Sequence, residues 1–475
     1  MNDERLIKNI KILIIFFSIC FFSIIGYLTY FNIFVSPSVV MDSSNPRIKL
    51  SENEVLRGSI LDRNGKTVAY SKRVNGVQKR YYKNGEAFSH LIGYNSYIYG
   101  KTGLELKYND ALQGRTFYYD FIGSIFRNLA QTFQGEKRGS DLFITIDADL
   151  QNKAYKLLGN DRGAVVALNP LTGEILAMVS TPAYDPEDID KEFKTYKEDV
   201  DANPLLNRAI MGFYPPGSTF KIITAASALE NLKTMDNQKF KCTGKLKIGN
   251  YVLSDFNNEV HGAIDLERAF EESCNFTFGT LGMQLGYNNL NKTAEKFLFN
   301  REIKTDDFQI GKSQYQIEDK NSKALLAQSA IGQHGVATNP LHMALIAATV
   351  ANNGVMMKPY VVKEIKDNFG VALKINSPDE IGRAIDVNIA EKIKKYMLEV
   401  VEEGTGKRAR VYGINVAGKT GTAEIPKTTD THSWFVGFAP AENPKIAFAV
   451  IVENGGTGGK RAAEIAREII REYLK

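Results

Sequence analysis

The chain has 475 residues, room for two or three domains, and its 44% hydrophobic and 24% charged composition is that of an ordered globular protein. Its net charge of +5 is spread along the chain; a dedicated nucleic-acid binder would concentrate its basic residues, so that class is set aside, while a surface working near anionic lipid or polymer fits. The three cysteines, Cys20, Cys242 and Cys274, form no C-x-x-C, so no zinc signature, redox pair or disulfide framework is expected; Cys242 and Cys274 could pair, but nothing in the sequence demands it.

From Ile12 to Val35 the chain reads ILIIFFSICFFSIIGYLTYFNIFV, uncharged and long enough to cross a bilayer. Arg5, Lys8 and Lys11 precede it and the next charge is Asp42. The positive-inside rule then puts residues 1–11 in the cytoplasm, 12–35 in the membrane and the remainder outside. A cleaved signal peptide is the alternative. Its apolar core would be shorter and would end in an A-x-A-like site, which is absent.

Residues 36–155 read as a small α+β module. The segment 37–57 looks extended and polar. RGSILDRNGKTVAY reads as two short strands around Arg63-Asn64-Gly65, with Arg57, Asp62 and Arg63 fixing the hairpin. The stretch 80–137 is mixed and rich in Tyr, Phe and Gly. In GSDLFITIDADLQNKAYKLL a strand leads into a helix capped by Asp147 or Asp149.

A second unit, 156–475, has a different texture. GAVVALNPLTGEILAMVS is strand, turn, strand, with the turn at Asn169 to Gly173. Helical patterns dominate from Leu266 to about Asn353. Three strands follow near the end, INVAGKTGTAEI, SWFVGFAP and KIAFAVIVENG. In the last helix Ala463, Ile465, Ala466, Ile469, Ile470 and Leu474 form one apolar stripe. The fold class is therefore α+β: an antiparallel sheet with packed terminal helices and a helical block inserted between its early and late strands.

In YPPGSTFK two prolines and a glycine exclude helix interior, so a helix is expected to begin near Ser218. Ser218 and Lys221 then share one face and can touch. An oxyanion at Ser218 would meet the free N–H groups of the helix start, and a partly buried Lys221 could shed its proton and serve as base. An isolated Ser-x-x-Lys is equally a serine cap on an ordinary helix. The remaining motifs decide. Ser273-x-Asn275 follows in a loop between helices, then Lys419-Thr420-Gly421-Thr422 on a strand. Further copies, Ser-x-Asn at 43–45 and 51–53 and Lys-Thr-Gly at 101–103, lie upstream of Ser218 and read as chance; the order is what is specific.

This ordered set, together with RGSILDRNG, GAVVALNPLTGEILAMVSTPAYDP, NRAIMGFYPPGSTFKI and SAIGQHGVATNPLHMA, resembles class B penicillin-binding proteins, the membrane-anchored peptidoglycan D,D-transpeptidases of bacteria. His334 departs from the family's usual second glycine after Gly-Gln, and Cys274 occupies a variable position; neither removes a catalytic group. The resemblance implies a single transmembrane anchor, a non-catalytic pedestal and a penicillin-binding transpeptidase domain. It implies that Ser218 forms the acyl-enzyme on D-Ala-D-Ala, with Lys221 as its base. Ser273 would relay the proton, Asn275 would hold Lys221 and the substrate amide, and Lys419 would meet the terminal carboxylate. Thr420 and Thr422 would act as hydroxyl donors, the N–H groups of Ser218 and Thr422 as oxyanion hole, and Gly418 and Gly421 would let substrate lie close. Stem peptides and β-lactams are the implied ligands and a SEDS-type membrane glycosyltransferase the implied partner; no cofactor, metal or nucleic acid is expected.

Competing readings are a serine β-lactamase or D,D-carboxypeptidase, with water as acceptor, and a non-enzymatic β-lactam receptor, for which the cytoplasmic tail is short. A Ser-His-Asp hydrolase has no support in the five histidines or in a G-x-S-x-G elbow. Trp434 and Phe435 read as core, and Glu402, Glu403 and Lys407 as a solvated helix end.

Overall fold

The computed structural model of the chain describes residues 2–31, 54–114, 137–233, 235, 238–424 and 430–475. The extended segment at 37–57 falls mostly outside these residues, as do 32–35 of the apolar stretch and 115–136 of the aromatic-rich stretch.

Helix α1 (Asn2–Tyr30) carries the 24-residue stretch Ile7–Tyr30, long and apolar enough to cross a membrane and exposed along its length. The first module follows: β1 (Ile60–Leu61), β2 (Thr67–Val74), β3 (Val77–Tyr82), α2 (Gly85–Ile92), α3 (Gly103–Lys107) and β4 (Asp141–Ile144). β1 and β2 are the expected antiparallel pair, and Asp62 holds their turn by accepting the Asn64 and Lys66 N–H groups at 2.9 and 2.7 Å. Arg57 does not fix this hairpin. It is buried, and its Nε donates to Glu105 at 2.6 Å beside Arg80, which donates to the other Glu105 oxygen at 2.7 Å.

Helix α4 (Ala148–Leu158) begins at Asp147, whose carboxylate accepts from Asp149 N and Leu150 N. Strands β5 (Gly163–Leu168) and β6 (Ile175–Thr181) are buried at every residue, which is why both read as near-continuous apolar runs. A 3₁₀ turn (Gly217–Phe220) leads into α5 (Lys221–Asn231). Four short strands come next, β7 (Phe240–Cys242), β8 (Lys245–Ile248), β9 (Tyr251–Ser254) and β10 (Gly262–Ile264), then α6 (Leu266–Glu271), α7 (Asn275–Lys296), α8 (Lys323–Ala330) and α9 (Pro340–Ala351). Further on come β11 (Val362–Lys366), β12 (Ala372–Ile375), α10 (Val387–Glu402), β13 (Ala417–Glu424), β14 (Thr431–Ala439), β15 (Ile446–Val452) and α11 (Arg461–Tyr473).

The main sheet runs β13-β14-β15-β5-β6, all antiparallel. Helices α4 and α11 cover one face, where Ala463, Ile465, Ala466, Ile469 and Ile470 meet Leu150, Ala154 and Phe448. Helix α9, buried on all sides, packs on β5, β14 and β15 at the other face. Trp434 and Phe435 are fully buried, as expected of core.

The first module's sheet has the order β12-β11-β4-β1-β2-β3. Two of its six strands, β11 and β12, come from beyond residue 360, so the division read at 155/156 is crossed by hydrogen-bonded strand pairing. Tyr108 donates to Asp307 at 2.5 Å, and the same carboxylate accepts from the Val361 and Val362 N–H groups at the start of β11.

Candidate active site

The Ser218 turn is clamped from two sides. Gly217 has φ +55°, and a Cβ there would lie 2.5 Å from the Thr422 carbonyl oxygen of β13. Gly332 has φ +73°, and its Cβ would lie 2.2 Å from the Gly217 oxygen; the Gly217 N–H donates to Gly332 O at 2.9 Å. Only glycine permits both approaches. Trp434 Nε1 donates to Pro215 O at 3.1 Å and ties the turn to the sheet. Ser218 is half-buried on the 3₁₀ turn and Lys221 opens the α-helix one turn later, so the helix starts three residues beyond the expected position.

Lys221 is fully buried. Its Nζ donates to Ser273 O at 2.5 Å, Ser273 Oγ at 3.2 Å and Asn275 Oδ1 at 2.8 Å, and lies 5.3 Å from the Phe278 ring centroid. Among the described residues its hydrogen bonds all run to the Ser-x-Asn segment. Burial lowers its pKa to about 8, with Cys274 and Asp255 opposing the shift.

Lys419, also fully buried, donates to Ser273 Oγ at 2.9 Å and to Thr420 O at 3.3 Å, with its ammonium 5.6 Å from the Phe270 ring centroid. Burial, and then the charge of Lys221, hold it well below the usual lysine range. Ser273 thus bridges two lysine nitrogens that resist being charged together. When one amine is neutral, the Ser273 hydroxyl can donate to it, which makes a path for a proton. Ser273 adopts the left-handed region at φ +56°, a strained position for a serine, and its own N–H and that of Cys274 are tied back to Phe270 O and Ala269 O of α6.

Asn275 donates its amide to Ser254 O at 2.9 Å and its backbone N–H to Asp255 Oδ1, which also accepts from Phe276 N at 3.3 Å. Asp255 is buried and orients the whole segment. Sequence reasoning did not single it out: a lone Asp between a short strand and a turn has no period or motif to mark it. Phe270, Phe278 and Thr405 were missed for the same reason.

On β13, Lys419 and Gly421 share one face, and Thr420 and Thr422 point to the other. Thr420 Oγ1 meets Thr405 Oγ1 at 2.7 Å; Thr422 is half-buried and its Oγ1 accepts from Gly458 N at 3.3 Å. Gly418 and Gly421 answer to internal packing. A Cβ at Gly418 would meet the Phe435 ring at 2.5 Å, and one at Gly421 would meet Thr219, Pro216 O and Trp434 at 2.8–2.9 Å. The expectation that they leave space for substrate is therefore corrected: neighbouring strand and turn fill that space. No histidine is among the described hydrogen-bond partners of Lys221, Ser273 or Lys419; His342, for one, is buried between Ser313 Oγ and Phe297 O, with burial lowering its pKa to about 4. Lys101 of the upstream Lys-Thr-Gly copy sits in the first module.

Residues 163–471 match the family of the penicillin binding protein transpeptidase domain, and residues 57–141 match the penicillin binding protein A dimerisation domain. The chain is 35% identical over 475 residues to the peptidoglycan D,D-transpeptidase PbpA of Mycolicibacterium smegmatis, covering 94% of this chain and 95% of the relative. It is 30% identical over 461 residues to the peptidoglycan D,D-transpeptidase MrdA of Acinetobacter baumannii, covering 85% and 67% respectively. Penicillin-binding protein A of M. tuberculosis, solved as a ceftriaxone acyl-enzyme complex, superposes with a TM-score of 0.84 at 33% identity over 90% of this chain and 100% of that one. With the fold, the clamped serine turn and the ordered motifs in agreement with these likenesses, the chain belongs to the class B penicillin-binding proteins.

Proposed function

We propose that this protein is a peptidoglycan D,D-transpeptidase that forms a serine acyl-enzyme on D-Ala-D-Ala stem peptides and is blocked when β-lactams acylate the same serine. The observation that carries the reading is the chain Lys221 Nζ, Ser273 Oγ, Lys419 Nζ, with spacings of 3.2 and 2.9 Å, beside a rigidly held Ser218 turn. The relatives named above as D,D-transpeptidases and solved as β-lactam acyl-enzymes support it.

Neutral Lys221 takes the Ser218 proton as Oγ attacks the penultimate D-Ala carbonyl. The oxyanion is met by the Ser218 and Thr422 N–H groups; a donor aimed in this way contributes about 3 kcal/mol. Collapse expels D-Ala, whose amine receives the proton through Ser273. Lys419 complements the terminal carboxylate, with the Thr420 and Thr422 hydroxyls as further donors. An acceptor amine from a second stem then attacks the ester, reversing these proton transfers. Hydrolysis is disfavoured: acidic residues between the Ser-x-Asn and Lys-Thr-Gly motifs such as Glu318 and Asp319 are exposed in a loop and lack the fixed setting a water-activating base needs.

The apolar stretch Ile7–Tyr30 anchors the protein, with the N-terminus in the cytoplasm and the catalytic unit outside. The first module is a pedestal, and a SEDS-type glycosyltransferase supplies the strands to be cross-linked. Incubating the purified protein with a D-Ala-D-Ala donor and an amine acceptor tests the reaction: cross-linked product must exceed hydrolysed donor. Protease added to intact spheroplasts tests topology: the C-terminal unit must be digested.

A further inference from the structure

The first module carries a surface that the acyl-transfer chemistry leaves unused. Strands β2 and β3 form a hairpin at the edge of its sheet, joined by the turn Asn75-Gly76. Alternation buries Ser71, Gln78 and Arg80 on one face. The opposite face is built from three cross-strand pairs: Tyr70 with Tyr81, Lys72 with Lys79, and Val74 with Val77. The tyrosine rings stack with centroids 5.3 Å apart. The Lys72 ammonium lies 5.3 Å from the Tyr70 centroid and that of Lys79 5.0 Å from the Tyr81 centroid; Lys83, just past β3, lies 5.9 Å from Tyr70. At the tip Val74 is 44% exposed and Val77 53%.

Nothing in the fold calls for this face. Like charges directly opposite on paired strands destabilise a sheet, and Lys72 faces Lys79. Nearby lysines have carboxylates: Lys66 pairs with Asp149 at 2.5 Å, and Lys366 of β11 with Glu364 at 2.8 Å. Among the described residues no carboxylate pairs with Lys72, Lys79 or Lys83, and from Thr67 to Gly85 the sequence holds no acidic residue at all. Lysines held over aromatic rings, with an apolar tip beside them, complement a surface that is anionic outside and apolar beneath.

The path of the chain says which surface that is. Arg73, next to the tip residue Val74, donates to the Glu54 carbonyl oxygen at 3.0 Å, so the chain enters the module beside the hairpin tip. Residues 32–53 alone lie between Glu54 and the helix that carries the apolar stretch, and even fully extended they span no more than about 80 Å.

We propose that the β2–β3 hairpin lies with this face on the anionic lipid surface of the membrane that holds α1. Val74 and Val77 enter the headgroup region, Lys72, Lys79 and Lys83 meet lipid phosphates, and Tyr70 and Tyr81 lie at the level of the headgroups, where tyrosine is favoured. Three lysines alone hold a membrane weakly, but the tether to α1 makes the contact intramolecular and raises the local lipid concentration. The contact sets the tilt of the first module's sheet, and β11 and β12 of the later chain belong to that sheet. The proposal rests on α1 as a membrane anchor. It depends neither on which side of the membrane the module occupies nor on the acyl-transfer reading.

The test uses the full chain carrying Val77→Trp, reconstituted one chain per lipid nanodisc. Trp434 is fully buried and gives a constant background. In discs of phosphatidylglycerol mixed with acyl-brominated phosphatidylcholine, the tip emission is expected to shift to the blue and to be quenched. In discs of brominated phosphatidylcholine alone neither change is expected. Lys72→Gln, Lys79→Gln and Lys83→Gln together are expected to lower the docked-to-free ratio about a hundredfold, near fivefold for each lysine. About 0.5 M salt is expected to reverse the quenching where the lysines are kept. A thermal midpoint no lower than the parent's shows that the triple variant is folded. Quenching without penicillin labelling would uphold the contact and count against the reaction alone. A tip neither shifted nor quenched in either disc would overturn docking. Quenching indifferent to lipid charge and to the three lysines would overturn the electrostatic contact. A blue shift seen only when two chains share a disc would overturn the lipid surface in favour of a second copy of this chain.

Discussion

Lys419 donates to Ser273 Oγ at 2.9 Å although 146 residues separate them. Strand β13 and the turn between α6 and α7 meet only because the helical block folds back over the sheet edge. The contact makes the two later motifs one unit with Lys221, and it separates the working Lys-Thr-Gly from its upstream copy.

Lys419→Ala is expected to slow penicillin acylation by roughly 10²–10³-fold, the size of a lost charge-stabilising donor. Lys101→Ala is expected to leave the rate unchanged. Second-order rate constants with a fluorescent penicillin measure both; a larger loss at Lys101 would place the motif in the wrong module.

Acylation is expected to follow the neutral form of Lys221. Burial lowers that amine to about 8, so the rate rises with pH, about tenfold per unit well below that value, and levels off above it. Lys221→Arg keeps the charge, cannot deprotonate at these pH values, and is expected to abolish the reaction. A rate independent of pH from about 6 to 10 would remove Lys221 as the base.

Much of this was legible in the sequence. β5, β6, β14 and β15 are buried on both faces, so their apolar runs announce them, and α11 shows its stripe because one face alone is buried. The motif order picked out Ser218, Lys221, Ser273, Asn275 and Lys419 as candidates, because a covalent catalyst needs such groups whatever surrounds them, and the fold brings the last four into one hydrogen-bonded set. Contacts set by distant pairing were not legible. β11 and β12 carry no sign that they complete the first module's sheet. Arg57 looks like a turn residue until Glu105 is placed beside it. Gly418 and Gly421 suggest open space until the Phe435 ring and the Ser218 turn are seen to fill it. Asp255 gains its meaning only when α7 delivers the Asn275 N–H to it.

Glu105 should be the weak point of the pedestal. Burial raises its pKa, but Arg57 and Arg80 outweigh burial and lower it overall. Glu105→Ala leaves two buried guanidiniums without their carboxylate and is expected to cost about 3–5 kcal/mol, read as a fall in the thermal midpoint with the first module unfolding first. With the folded pKa below the unfolded one, this stabilisation is complete above the unfolded carboxylate value of about 4.3 and is lost as the pH falls through the folded value. A variant with an unchanged midpoint near neutral pH would refute the assignment.

The acyl-enzyme is expected to persist. Glu318 and Asp319, between the Ser-x-Asn and Lys-Thr-Gly motifs, are exposed and lack the fixed setting that would activate water at the Ser218 ester. A pulse of labelled penicillin followed by a chase should leave most label in place over minutes. Loss within seconds, with hydrolysed antibiotic accumulating, would make the protein a β-lactamase.

The central claim is that Ser218 is the nucleophile. The direct measurement is mass mapping of proteolytic peptides from penicillin-treated protein, run beside Ser218→Ala. One penicilloyl adduct on the peptide containing Ser218, absent from the variant, is the expected result. An adduct on another residue, or labelling that survives Ser218→Ala, would contradict it.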